Sequence, residues 1–398
     1  MDRPPELRLT NRALSLRESA TLAVARRAAE LRAAGERVID FSVGEPDFPS
    51  PEGAVSAARQ ALADGFTRYT QVAGIPELRQ ALARRYAEEY DAPWTQQEVI
   101  VTAGAKAALF ELALALFEPG VEVVVPTPCW VSFPAQVGFA GAEMVPVATD
   151  PADEFRLHAE PLLAAINVRT AAVILNAPCN PTGGVIEVEE LERLAEGCAE
   201  RGVLLIADET YDRFVYGGRP RVSAAVLARQ LPDTVVVVGS FSKTWAMTGW
   251  RLGYCLGPPA LIQALIAIQG HATSNPTSFA MAGALAALEE GEEEFRGRLR
   301  EFEARRDLVV ERLAALPGVE CPRPAGAFYA FPHVARLYRE DRQGSVALAS
   351  FLLEEARVAV VPGLAFEADD HLRLSFACSR EELEEGLDRI AAAIAATV

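Results

Sequence analysis

The sequence predicts an α/β fold: a large domain with a mostly parallel sheet covered by helices on both faces, plus a smaller α+β domain. Three observations carry this. Short, apolar, β-branched runs recur (EVIVTAG at 98–104, VEVVVP at 121–126, AAVILN at 171–176, VLLIAD at 203–208 and TVVVVGS at 234–240), and near-continuous apolar strands belong to sheets buried on both sides. Helical stretches such as 76–90 and 187–200 lie between them, as parallel crossovers require. At 398 residues, half of them apolar, the chain exceeds the ~250–300 at which one core stops growing, so two domains are expected.

Taken in order, residues 18–34 have helical periodicity and end at Gly35; a short strand-like VIDFSV and the loop GEPDFPSP follow. The βα rhythm then runs to an Ala-rich helix near 279–289. Beyond it the charged stretch EEGEEEFRGRLREFEARRDLVVERLAAL predicts one long helix leading to the second domain. There AFYAFP, VAVVPG and HLRLSF read as strands of a smaller sheet, and 380–396 as a closing helix.

A formal net charge of −17 opposes nucleic acid and anionic membrane as partners. The first residues lack an apolar h-region, and no apolar run reaches the ~18 residues of a membrane span, so a cytoplasmic protein is expected. Six scattered cysteines without a CxxC pair, and four histidines, argue against both a disulfide framework and zinc.

Of 38 basic residues only two are lysines, Lys106 and Lys243. Guanidinium cannot serve as an amine nucleophile, whereas a lysine can once its pKa is lowered. Codon bias alone also leaves few lysines, so context must decide. Ligands of open α/β sheets bind beyond the carboxyl ends of the strands. TVVVVGS runs directly into SFSKTWAMTGWRLG, which sets Ser240, Lys243 and Arg251 at such an end. Ser240 to Lys243 also spells the SxxK of serine β-lactamases, but the KTG and SDN elements of that chemistry are missing.

Asp208 closes the apolar strand VLLIAD, three residues before Tyr211. A buried carboxylate needs a cation to face, and a pyridinium nitrogen would satisfy it; alone, such an aspartate more often caps the next helix. Strand, small-residue turn and helix at 101–117 place Gly104, Ala105 and Lys106 at a helix N-terminus, where free N–H groups favour an anion. Lys106 opposes the helix dipole there, which calls for an anion beside it. NAPCNPTGG presents Asn180 on a rigid loop, or is simply a turn. In HLRLSF, Arg373 alternates with core-facing leucines and so faces away from the core, where an arginine is usually just solvated.

Together these residues resemble the class I/II aminotransferases of the fold-type-I pyridoxal-phosphate enzymes, and most closely the bacterial aspartate-aminotransferase-like subgroup. The likeness spans nearly the whole chain: SFSKTWAMTGWRLG resembles the cofactor-lysine motif at every constrained position, and GEPDF, YTQVAGIPELR, NAPCNPTGG, ADETYDRFVY, GAFY and HLRLSF stand in family order. The resemblance implies pyridoxal 5'-phosphate bound to Lys243 as a Schiff base. Asp208 would pair with the ring nitrogen, Tyr211 and Asn180 would meet the ring's phenolic oxygen, and Trp130 would stack on its face. The backbone of Gly104, Ala105 and Lys106, with Ser240 and Arg251, would hold the phosphate. Tyr69 would reach the phosphate of a neighbouring subunit, which implies a homodimer with shared sites. Arg373 and the backbone of Gly44, beside Trp130 and Asn180, would take the substrate's α-carboxylate.

The implied division is 1–46 as N-terminal arm and part of the small domain, 47–290 as the large cofactor-binding domain and 291–398 as the small one. The implied reaction moves an amino group between an L-amino acid, aspartate favoured, and 2-oxoglutarate. In it Lys243 doubles as general base, its pKa lowered by surrounding cations. The arginine with which some relatives bind a distal carboxylate has no match in this sequence, and Lys106 would stand in for it. β-Elimination or cyclopropane-forming chemistry on the same scaffold would use the same lysine and aspartate. A cofactor-sensing regulator would carry a helix-turn-helix for which the N-terminus has no room.

Overall fold

The protein is described by a computed structural model that covers residues 8–15, 20–289 and 292–396. Residues 1–7 and 16–19 of the expected arm and first helix, the expected boundary at 290/291, and 397–398 lie outside the described residues.

Seven strands build the central sheet. After the short strand β1 (Ile39–Asp40) come β2 (Val99–Thr102), β3 (Glu122–Thr127), β4 (Glu143–Ala148), β5 (Thr170–Asn176), β6 (Leu204–Asp208), β7 (Val235–Ser240) and β8 (Gly253–Leu256). From β2 to β8 they lie in the order β2-β8-β7-β6-β5-β3-β4. Strands β7 to β4 are mutually parallel, and β8 runs against both its neighbours. One edge of the sheet therefore gathers the carboxyl ends of the other six strands and the amino end of β8.

Alternate side chains of each strand go to opposite faces, and each face has its own core. Val99, Val101, Val173, Leu205 and Val237 pack with Leu78, Leu82, Leu194 and Met281, from the helices Pro76–Tyr90, Val188–Glu200 and Ser278–Ala287. Ile100, Val123, Ile174, Ile206 and Val236 pack with Leu109, Phe133 and Leu265, from Ala105–Leu116, Ser132–Ala140 and Pro259–Ala272. Burial of each such side chain contributes about 1.5–3 kcal/mol, which is why these runs carry no polar alternation.

The long helix Glu292–Ala314 leads to a further core, away from the sheet, around Phe302, Phe328, Leu352, Phe376 and Ile390. Its strands are β9 (Tyr329–Ala330), β10 (Val358–Ala359), β11 (Val361–Pro362) and β12 (Leu372–Ser375), with β11-β12-β9 antiparallel. VAVVPG, read as one strand, is two that separate at the buried Val360. Strand β1 pairs in parallel with β10, and Ile39 and Phe41 join this further core. The closing helix Arg380–Ala395 opens with a capping box between Ser379 and Glu382.

Candidate active site

At the shared edge of the sheet lies a cavity of about 420 Å³, lined by Gly44, Ala105, Lys106, Trp130, Asn180, Asp208, Tyr211, Ser240, Lys243, Arg251 and Arg373. Eleven of the thirteen residues picked out from sequence thus meet in one place. Gly104 lies just behind it, against Arg251. Tyr69 stands apart: the residue is 88% exposed.

Lys243 follows β7 and donates from Nζ to the Gly44 carbonyl. Burial pushes its amine down to about 8; Arg373, Arg251 and Lys106 act in the same direction, and Glu45 opposes them. Desolvation, rather than the neighbouring cations credited from sequence, is the larger cause. Asp208, at the end of β6, has no cation in ion-pair contact among the described residues. Burial lifts its carboxyl to about 6, against the pull of Thr210, whose N–H donates to Oδ1 at 3.1 Å, and of Lys243.

The turn between β2 and the helix Ala105–Leu116 pivots on Gly104 at φ 92°. A Cβ there would collide with the Arg251 guanidinium, and one at Gly253 with the Ala105 N–H, so two glycines let the arginine and β8 close on the helix N-terminus. Arg251 donates to the Thr248 carbonyl at 2.8 Å, and the Ser240 hydroxyl accepts from the Ser242 N–H at 3.0 Å. Lys106 sets its ammonium 4.9 Å from the Trp130 ring centre, and burial, then Arg251, lowers its pKa.

Arg373 faces away from the core set Leu372 and Leu374, as the alternation predicts, yet that face is not solvent: the residue is only 4% exposed. Its guanidinium donates to Asn180 Oδ1 at 3.1 Å and to the Ser42 carbonyl at 2.7 Å, and lies 4.5 Å from the Tyr329 ring centre. Burial lowers its pKa. Its Nε is buried without a partner. Tyr211 shares a 2.8 Å hydrogen bond with the Tyr329 hydroxyl, and its own hydroxyl is raised well above the usual range by burial.

Sequence reading missed three contributors. Tyr329 lies in the quoted GAFY, and a Cβ on Gly44 would stand 2.9 Å from its hydroxyl. Ser42 acts through its carbonyl, which no side-chain pattern reveals. Asn176 ends β5, accepts the Asn180 N–H at 2.8 Å and donates to the Asp208 carbonyl at 3.1 Å.

A cavity of this size suits a small cofactor. No carboxylate pairs with Lys106, Lys243, Arg251 or Arg373 among the described residues, and the buried Asp208 has no ion-pair partner there either. That complement fits an anionic group at the glycine turn and a protonated ring nitrogen at the acid, the equipment of a pyridoxal-phosphate enzyme. Residues 36–390 match the family model described as aminotransferase class I and II, and the chain belongs to that family. It is a pyridoxal 5'-phosphate-dependent aminotransferase. It is 43% identical to the probable aspartate/prephenate aminotransferase of Aquifex aeolicus, over 97% of this chain and 98% of that protein. It is 42% identical to the aspartate aminotransferase of Geobacillus stearothermophilus, over 96% and 98%. The crystal structure of the Rhizobium meliloti aspartate aminotransferase superposes with a TM-score of 0.93 at 38% identity, over 98% of this chain and 99% of that one. The Thermus thermophilus aspartate aminotransferase with maleate gives 0.91 at 41%, over 98% and 100%.

Proposed function

We propose that the amino donor is aspartate and the acceptor 2-oxoglutarate. The observation that carries this is a cavity with two further cations, Arg373 and Lys106, beyond the lysine and arginine of the cofactor turn. A dicarboxylic substrate needs two such partners, one per carboxylate, and the Thermus thermophilus relative is seen with maleate, itself a four-carbon dicarboxylate. Arg373 takes the α-carboxylate with the backbone of Gly44, beside Trp130 and Asn180, and its unpartnered Nε supports that role. Lys106 takes the distal carboxylate.

Lys243 is the covalent attachment point of pyridoxal phosphate. Asp208 holds a proton on the ring nitrogen, Tyr211 and Asn180 bond the phenolic oxygen, and Trp130 stacks on the ring. The turn Gly104, Ala105 and Lys106, with Ser240 and Arg251, holds the phosphate. When bound, the cofactor supplies an aldehyde for amines and a ring that draws electrons from the substrate Cα. An amine held near 8 then serves Lys243 as a base that moves the Cα proton.

The exposure of Tyr69 supports a homodimer in which it reaches the partner's phosphate. Free thiols at all six cysteines support a cytoplasmic setting; among the described residues no helix is long and apolar enough to cross a membrane. The separation of the core around Phe302 from the cores on the sheet's two faces supports a large domain at 47–290 and a small one at 291–398 that takes in part of 1–46. The test is a panel of amino donors with 2-oxoglutarate, read as glutamate formed, on wild type and Lys106→Met. Aspartate should lead for wild type and lose its lead over neutral donors in the variant; a neutral donor leading for wild type would overturn the choice of substrate.

A further inference from the structure

The residues next to Asp208 and Lys243 turn away from the cavity into one buried polar cluster. Asp212 lies in the loop that follows Asp208, and Thr244 directly follows Lys243; neither lines the cavity. Asp212 Oδ2 accepts from Arg85 at 2.5 Å and from the Tyr90 hydroxyl at 3.1 Å, while Oδ1 accepts from the Thr244 hydroxyl at 3.4 Å. Arg85 also donates to the Tyr254 hydroxyl at 2.7 Å, and its guanidinium lies 5.0 Å from the Trp245 ring centre. Both side chains of the pair are 6% exposed.

We propose that the Arg85–Asp212 ion pair is a positioning device that holds the Lys243 turn in fixed relation to the loop carrying Asp208, and so sets the spacing between the two ends of the bound cofactor ring. Burying two charges costs several kcal/mol per ion, and apolar packing of the same volume stabilises a core as well, so stability alone does not account for the pair. What charge-assisted bonds add is direction. Asp212 bonds both the helix Pro76–Tyr90 and the lysine turn while standing on the Asp208 loop itself. Arg85 anchors it further to β8 through Tyr254. Chemistry that depends on two groups at opposite ends of one ring is sensitive to small displacements of either. The proposal rests on the roles given above to Lys243 and Asp208.

The experiment compares Asp212→Asn and Thr244→Val with a control, Arg306→Met, which removes an equally buried arginine whose partners on the long helix, Glu303 and Asp307, are partly exposed. Four quantities are read: melting temperature without cofactor, affinity of the cofactor-free protein for pyridoxal phosphate, visible circular dichroism of the loaded protein, and kcat against KM. Asp212→Asn should bind pyridoxal phosphate about tenfold more weakly, lose dichroic amplitude and lose about tenfold in kcat at unchanged KM. Thr244→Val should move the same readings in the same direction with the wild-type melting temperature. Arg306→Met should lower the melting temperature alone. Wild-type affinity, dichroism and kcat in both Asp212→Asn and Thr244→Val overturn the proposal whatever their melting temperatures, and Thr244→Val decides alone if Asp212→Asn does not fold. Borohydride reduction of loaded wild type separates the two levels. A pyridoxyl adduct at Lys243 alongside unaltered variants refutes the pair's role only, whereas a missing adduct removes the reading beneath it and the proposal with it.

Discussion

Asn176 and Asp208 are register partners at the ends of β5 and β6, and the Asn176 amide donates to the Asp208 main-chain carbonyl at 3.1 Å while accepting the Asn180 N–H at 2.8 Å. One buried amide thus ties the carboxylate's strand to the loop that carries Asn180. Asn176→Ala leaves the Asn180 N–H buried and unpaired, at a cost of about 1–3 kcal/mol. Urea unfolding of the cofactor-free variant should show that loss, with weaker uptake of pyridoxal phosphate. A wild-type midpoint would mean that water replaces the amide.

Asp208 is a destabilising residue kept in place. Its carboxyl titrates at about 6 in the folded chain against an ordinary 3.8. Below the ordinary value both states hold the proton and nothing is lost; as pH rises through 6 the folded chain must bury a charge, and stability falls. Asp208→Asn without cofactor should therefore be more stable than wild type above pH 6, by at most about 3 kcal/mol, with the gain gone below about pH 4. The same variant should scarcely transaminate. Thermal melts across pH, paired with assays, check both; equal melts at pH 8 would show that the carboxyl is solvated.

The strands that position the site were legible because burial on both faces confines polar residues to their ends, as in Val235–Ser240. The edge strand β4 was not, since Pro146 interrupts its partly exposed EMVPVA. Nor was β8, whose GYCL is only four residues and follows the irregular lysine loop. Lys243, Asp208 and Arg251 stood out through residue type at strand ends. Arg373 was visible, but its burial was not: period-two alternation tells which side of a strand a residue takes, not what covers that side. Asn176 and the Arg85–Asp212 pair act from behind the cavity, and contacts between residues 127 apart in the chain leave no local pattern.

Lys243 is readied for reaction by desolvation. With its amine at about 8 instead of 10.5, an appreciable neutral fraction exists near neutral pH. The rate at which cofactor-free protein captures pyridoxal phosphate should therefore climb with pH and level off above about 8, well before an ordinary lysine would. Stopped-flow absorbance over a pH series measures this. Lys243→Arg keeps the charge without a nucleophile and should abolish capture and nearly all turnover; a climb continuing to pH 10 would mean an exposed amine.

Glu111 offers a control on the same logic away from the chemistry. It lies on the buried face of the helix Ala105–Leu116, 3% exposed, with Oε2 lacking a hydrogen-bond partner. Burial raises its carboxyl from 4.5 to about 7. Stability linked to this group is intact below the ordinary value and is lost as pH rises through 7, because the folded chain then holds a charge away from water. Glu111→Gln keeps the shape and never ionises, so it should match wild type below about pH 4 and exceed it by up to about 3 kcal/mol near pH 9. Because this carboxyl does not line the cavity, kcat and KM should not move. Melting curves that stay parallel from pH 5 to 9 would assign the alkaline loss of stability to another group.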